Sequence, residues 1–282
     1  PPPGAQLYWR GPVFERFDGR RWDAPEVWDR DARPALQVSG RPVRYEMVLE
    51  PTRGFSLFGL EMVARDRTPP GSRYDLNGQL LSVDRISLRR LLRAEAYPDC
   101  RRDAGGLPRW RAARNLQIPD GRSPQARALA AQWRAQGLDP RQIVAAALSR
   151  FRTEPFRYTL QPPRLGREPV DEFLFDTRAG FCEHYASSFV VLMRAAGIPA
   201  RVVIGYQGGE RSRIGDEWVV RQSDAHAWAE VWLPGEGWRR VDPTAAVAPD
   251  RIEEGLREMF RDRPGELPDF MRRRGEGLWQ LS

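Results

Sequence analysis

The stretch from Gly180 to Pro243 leaves this chain the least freedom in how it can fold. Tyr185, Ala186, Phe189, Val190, Met193 and Ala196 recur at three- and four-residue steps, the period of one helical face, and Gly197 and Pro199 end the run. Strand-like segments follow at Ala200 to Tyr206 and Glu217 to Arg221, and then His226 to Trp232 alternates strictly. After a Pro234-Gly235 turn, the segment from Gly237 to Asp242 stops at Pro243, which cannot continue a central ladder. The pattern predicts an α+β core in which one helix, starting at Cys182, precedes a meander of antiparallel strands.

Ahead of that core the punctuation is different. From Tyr8 to about Asp99 the chain reads as short strands broken by turns: Phe14 to Phe17 runs into Asp18-Gly19, Tyr45 to Leu49 alternates before Pro51, Leu57 to Ala64 precedes Pro69-Pro70-Gly71, and a strand pair surrounds Asn77-Gly78. Gly105 to Ser123 shows no period and reads as a connector. Ser123-Pro124 then opens a helix, with Ser as cap and Gly137 as stop, and Asp139-Pro140 opens a second running to about Phe151. Leu160 to Pro169 is an irregular loop. The expected division is a β-rich domain over 1–110, a catalytic domain over 111–250, and a C-terminal helix with an arginine-rich tail over 251–282.

Chemistry is bounded by scarcity. Among 282 residues there are two cysteines, Cys100 and Cys182, and two histidines, His184 and His226. A four-ligand zinc site would use all of them, no HExxH or paired-His spacing occurs, and no EF-hand-like acidic loop is present. The expectation is no metal and no cofactor. All 45 basic residues are arginine, against 38 acidic ones, and they are dispersed; no nucleic-acid reader motif accompanies the +7 charge, so no nucleic-acid partner is expected. The longest basic run, Arg272-Arg273-Arg274, suits a juxtamembrane stretch. The run from Phe189 to Met193 falls far short of the ~20 apolar residues of a membrane helix. The opening Pro1-Pro2-Pro3-Gly4 has no leader ahead of it and reads as part of a longer protein.

Cys182 at a helix start sits where unpaired backbone N–H groups and the helix dipole favour negative charge on sulfur, with Glu183 beside it working against that field. His226 follows 44 residues later and Asp242 another 16, about one hairpin, so the last two can share adjacent strands. A thiol attacks an amide when an imidazole takes its proton and a carboxylate orients that imidazole. His184 lies about 200° around the helix from Cys182 and cannot be that base; it is expected to be structural or to line the edge of the site. Trp228 and Trp232 are expected to flank or underlie the His226 strand. Cys100 is read as a free thiol.

The segment from Thr177 to Ala186, with Asp224-Ala225-His226-Ala227-Trp228-Ala229-Glu230-Val231-Trp232 and Val241-Asp242-Pro243-Thr244, resembles the bacterial transglutaminase-like superfamily. Together with Tyr8 to Phe14, Asp18 to Trp22 and Phe156 to Leu160, it resembles the membrane-bound branch whose transglutaminase-like domain lies outside the inner membrane, between transmembrane helices. The resemblance implies a papain-like core, Cys182 as nucleophile, His226 as base and Asp242 as orienting carboxylate. It also suggests an aromatic second oxyanion donor beside the Cys182 N–H, for which Tyr158 is the candidate and a core tyrosine the alternative; His184 and Trp228 are candidate site-lining residues. By the same resemblance the protein is a periplasmic domain of a bacterial inner-membrane protein, anchored through flanking helices absent from this segment, and acts on a protein or peptide with a glutamine donor and an amine acceptor. Two alternatives stay open: a cysteine peptidase or amidase acting on cell-wall or protein peptides, and a non-catalytic binding scaffold. A metallohydrolase using Cys182, His226 and carboxylates is the weakest reading.

Overall fold

The computed structural model describes residues 7–24, 35–60, 62–63, 68–97, 99–212, 215, 217–247 and 278–280. Its centre is a seven-stranded antiparallel sheet whose spatial order is Leu36–Val38, Cys100–Arg102, Gly237–Val241, Ala225–Leu233, Ala200–Gln207, Tyr8–Phe14 and Gly59–Leu60. The sheet therefore draws strands from both sides of residue 110. The meander expected after the helix forms its middle, and the first strand of the chain lies against Ala200–Gln207. That close pairing needs Gly205, because a Cβ there would come within 2.0 Å of the Trp9 carbonyl oxygen. A second sheet, Val43–Leu49, Arg90–Tyr97 and Met62–Val63, completes the β-rich N-terminal part.

The helix Cys182–Ala195 packs on one face of the sheet. Its Ala186, Phe189, Val190 and Met193 share a core cluster with Val202 and Ile204 of one strand and Ala227, Ala229 and Val231 of the next. The expected single apolar face understates its burial: every residue from Cys182 to Arg194 is buried. Two of its buried polar residues make tertiary bonds: Ser187 Oγ accepts from Trp22 Nε1 at 2.8 Å, and Arg194 donates to the carbonyls of Gln117, Ala200 and Glu15 at 2.7–2.8 Å.

The two helices expected after Ser123 are present, at Pro124–Ala135 and Pro140–Thr153. Asp139 caps the second through a reciprocal box with Gln142. The first is capped differently from expectation: Ser123 stands at φ 53° and makes no side-chain cap bond, while the Asp171 carboxylate, distant in sequence, accepts from the N–H groups of Gln125 and Ala126 at 2.7 and 3.0 Å. The Gly105 to Ser123 connector also needs correcting, since it contains a helix, Arg109–Leu116. Its inward residues are polar, Arg111 bonded to Asp103 and Asn115 to Glu15, so no apolar period announces it. The expected C-terminal helix and arginine tail lie outside the described residues, apart from Leu278–Gln280, whose backbone pairs with Arg21–Asp23.

Candidate functional site

Cys182 is the first residue of its helix, after Phe181 in extended conformation, and is 1% exposed. The approach is set by the parallel pairing of Arg157–Tyr158 with Ala179–Gly180, closed by the Thr159 N–H donating to the Gly180 carbonyl at 2.9 Å. This places Tyr158 beside the residues that lead into Cys182. Gly180 is required there, as a Cβ would lie 2.7 Å from His184 Cβ.

His226 is the second residue of the Ala225–Leu233 strand, opposite Gly205, and Asp242 follows the last residue of the neighbouring strand Gly237–Val241. The hairpin spacing read from the sequence brings them into contact: His226 Nε2 and Asp242 Oδ2 are 2.7 Å apart. His226 Nδ1 has no hydrogen-bond partner among the described residues, and the neighbour left to it is the Cys182 thiol. Burial pulls the imidazolium pKa down, but the Asp242 carboxylate, by charge and by hydrogen bond, outweighs burial, Cys182 adds to the same effect, and the value is pushed up to about 10. Burial raises Asp242 in turn, while His226 and a hydrogen bond from Tyr8 hold it below the ordinary carboxylate value.

Three neighbours of this pair were not singled out for the site in the sequence. The Tyr8 hydroxyl donates to Asp242 Oδ2 at 2.8 Å, Gln207 Nε2 donates to the Tyr8 hydroxyl at 3.0 Å, and the Arg240 guanidinium lies 3.8 Å from the Tyr8 ring centroid. Tyr8 and Asp242 are 234 positions apart, so no local spacing could link them.

The other candidates separate by environment. Trp228 stacks on the His226 ring at 6.3 Å between centroids and 23° between planes, meets Tyr8 edge-on at 5.2 Å, and is 1% exposed. The buried Tyr158 hydroxyl has no hydrogen-bond partner among the described residues; burial and then the Cys182 thiol raise its pKa, while the Cys182 N–H opposes them. The Tyr158 hydroxyl and the Cys182 amide are thus neighbours. His184 is fully buried, its ring packed against Phe181 and Phe173, and its Nδ1 accepts from the Phe181 N–H at 3.4 Å. Trp232 Nε1 donates to the Asp103 carbonyl at 3.0 Å, away from His226 along the same strand. Cys100 is a half-buried free thiol on the Cys100–Arg102 strand.

Farther along the His226 strand, the same alternation that points Trp228 toward Tyr8 buries Glu230 among Arg10, Arg102 and Arg201. Arg10 reaches both carboxylate oxygens, at 3.0 and 3.1 Å, and Arg201 Nε donates at 2.8 Å. Burial alone would raise Glu230, yet the three guanidinium groups hold it well below the ordinary value. This cluster ties the first strand, the Cys100–Arg102 strand and both middle strands to one carboxylate. Among the described residues, no group of three or more His, Cys, Asp or Glu side chains is arranged to hold a metal ion, and no helix is long and apolar enough to cross a membrane.

Comparison with known proteins places this geometry. Residues 126–243, which contain Cys182, His226 and Asp242, match the transglutaminase-like superfamily, and residues 1–99 match the TgpA N-terminal domain. The protein-glutamine gamma-glutamyltransferase of Pseudomonas aeruginosa is 46% identical over 91% of this chain, and the chain spans 38% of that protein's length. The Bacillus subtilis protein YebA is 35% identical over 46% of the chain, which covers 19% of that protein. The crystal structure of the periplasmic domain of TgpA from Pseudomonas aeruginosa superposes with a TM-score of 0.85 at 44% identity, covering 92% of this chain and 88% of that one. A core match that contains the paired imidazole and carboxylate, joined to a likeness along nearly the whole chain to the periplasmic domain of TgpA, means that this protein belongs to the transglutaminase-like superfamily.

Proposed function

We propose that this protein is a periplasmic thiol acyltransferase that joins protein glutamine to an amine, with Cys182 as nucleophile, His226 as base and Asp242 as its orienting group. The observation that carries the reading is the 2.7 Å bond between His226 Nε2 and Asp242 Oδ2, which leaves Nδ1 for the thiol at the start of a buried helix. The name of the Pseudomonas aeruginosa relative, whose 46% identity runs over 91% of the chain, supports the glutamine donor and the transfer to an amine. The periplasmic domain of TgpA from Pseudomonas aeruginosa, which this chain overlays, supports the location.

In this scheme Cys182 Sγ, its proton held on His226 Nδ1, attacks the carbonyl carbon of a glutaminyl amide. The oxyanion is met by the Cys182 N–H and the Tyr158 hydroxyl, which stand together at the start of the helix. As the C–N bond breaks, His226 gives its proton to the departing ammonia and a thioester remains. An amine then attacks the thioester carbonyl, His226 Nδ1 takes the amine's proton, the new C–N bond forms and the thiolate is released. Throughout, Asp242 holds the ring by Nε2 and stabilises its cationic form.

Ammonia release from a glutaminyl peptide, with and without added amine, compared with a Cys182→Ala variant, tests the assignment. Release that depends on Cys182 and is accompanied by amine incorporation is expected. Equal release from the variant removes Cys182 as nucleophile, and cleavage of peptide bonds without added amine identifies a peptidase instead.

A further inference from the structure

We propose that Tyr8 is a positioning residue for the Cys182–His226–Asp242 arrangement, its hydroxyl pinning Asp242 Oδ2 in the place where His226 needs it. This assignment rests on the acyl-transfer reading above. Asp242 receives four bonds: Oδ1 accepts from the N–H groups of Thr244 and Ala245 at 3.0 and 3.4 Å, and Oδ2 accepts from His226 and Tyr8 at 2.7 and 2.8 Å. Without Tyr8, Oδ2 is held only by the imidazole that it must itself orient, and the rest of the protein fixes the carboxylate through Oδ1 alone. Tyr8 adds a second donor on Oδ2 without competing for the imidazole.

The direction of the Tyr8 proton follows from its other partner. The Gln207 side-chain N–H donates to the Tyr8 oxygen at 3.0 Å, so the one hydroxyl proton is left to Asp242. The ring is clamped by the Arg240 guanidinium at 3.8 Å on one side and by the edge-on Trp228 at 5.2 Å. Tyr8 is buried, so it gives Asp242 a donor while adding little water to the site. Its strand reaches this position only because Gly205 lets the Trp9 carbonyl approach, and residues 1–110 thereby supply part of the site's frame.

The test is Tyr8→Phe in the whole 282-residue chain, which keeps the ring and removes only the hydroxyl. Expected results are a kcat lower by roughly 10- to 100-fold, the scale of one lost hydrogen bond to a charged group, with KM unchanged. The titratable and charged groups that bear on Asp242 are His226, Tyr8, Arg240 and Tyr158, and of these only His226 and Tyr8 bond to it. Since the Tyr8 bond holds Asp242 low, the acid-side inflection of the His226 ring resonances, which reports Asp242 protonation, is expected to move to higher pH. Gln207→Glu, which offers the hydroxyl proton another acceptor, is expected to move it the same way. An unmoved inflection in Tyr8→Phe overturns the proposal even if kcat falls, because ring packing alone then explains the loss. Should Cys182→Ala remain active, the acyl-transfer reading fails, and the inflection alone still decides whether Tyr8 positions Asp242.

Discussion

Replacing Asp242 by Asn leaves the shape of the site intact while removing the charge that opposes the burial of His226. The imidazole rests at a pKa of about 10 against an ordinary 6.5, although burial alone acts to lower it. At ~1.36 kcal/mol per pH unit, that gap represents on the order of 5 kcal/mol of preference for the imidazolium, with Asp242 its larger source and Cys182 its smaller one. In Asp242→Asn the ring is expected to titrate well below the parent value of about 10, because burial is then opposed only by Cys182. The assay is straightforward because the chain has only two histidines, and His184→Gln identifies the remaining ring signal in a proton–carbon NMR titration. The same substitution is expected to cut acyl transfer by roughly 10³- to 10⁴-fold, the scale of the equivalent change in a serine triad.

Stability follows with a definite sign. The raised His226 pKa contributes stability that is full below about 6.5 and is lost as pH rises toward 10, whereas the depressed Asp242 contributes above 3.8 and loses it as pH falls through its folded value. The stability advantage of the parent protein over Asp242→Asn is therefore expected to be greatest between about pH 4 and 6.5 and to shrink toward pH 10. A His226 ring that still titrates near 10 in Asp242→Asn, or an advantage that grows between pH 7 and 10, would refute the electrostatic account.

Other consequences can be measured separately. Tyr158→Phe is expected to lower kcat by ~10²- to 10³-fold with little change in KM if the hydroxyl meets the oxyanion, and a wild-type kcat rejects that role. Glu230→Gln removes the charge that three buried guanidinium groups share and should cost ~3–5 kcal/mol, lowering the melting temperature by roughly 10 °C; a change within a degree or two would mean the cluster relaxes. Because the chain has no lysine, it offers no side-chain amine to its own glutamines, and incubation alone should yield no reductant-resistant covalent multimers.

The sequence by itself determined the elements whose causes are local. The helical period after Cys182, the strict alternation after His226 and the proline after Asp242 fix each residue's backbone within a few positions, and the 16-residue hairpin spacing puts the last two side chains on neighbouring strands. The helix Arg109–Leu116 escaped because it buries Arg111 and Asn115 in place of an apolar stripe, so hydrophobic periodicity carries no trace of it. Ser123 signals a cap that Asp171 supplies, since a carboxylate 48 positions away can meet the same N–H groups. Only the tertiary structure decided that Tyr8 and Gln207 stand behind Asp242 and that Glu230 gathers three arginines. Those contacts depend on which strand lies beside which, and strand order arises from burial and close backbone approach, such as Trp9 against Gly205, across distances that no sequence spacing records.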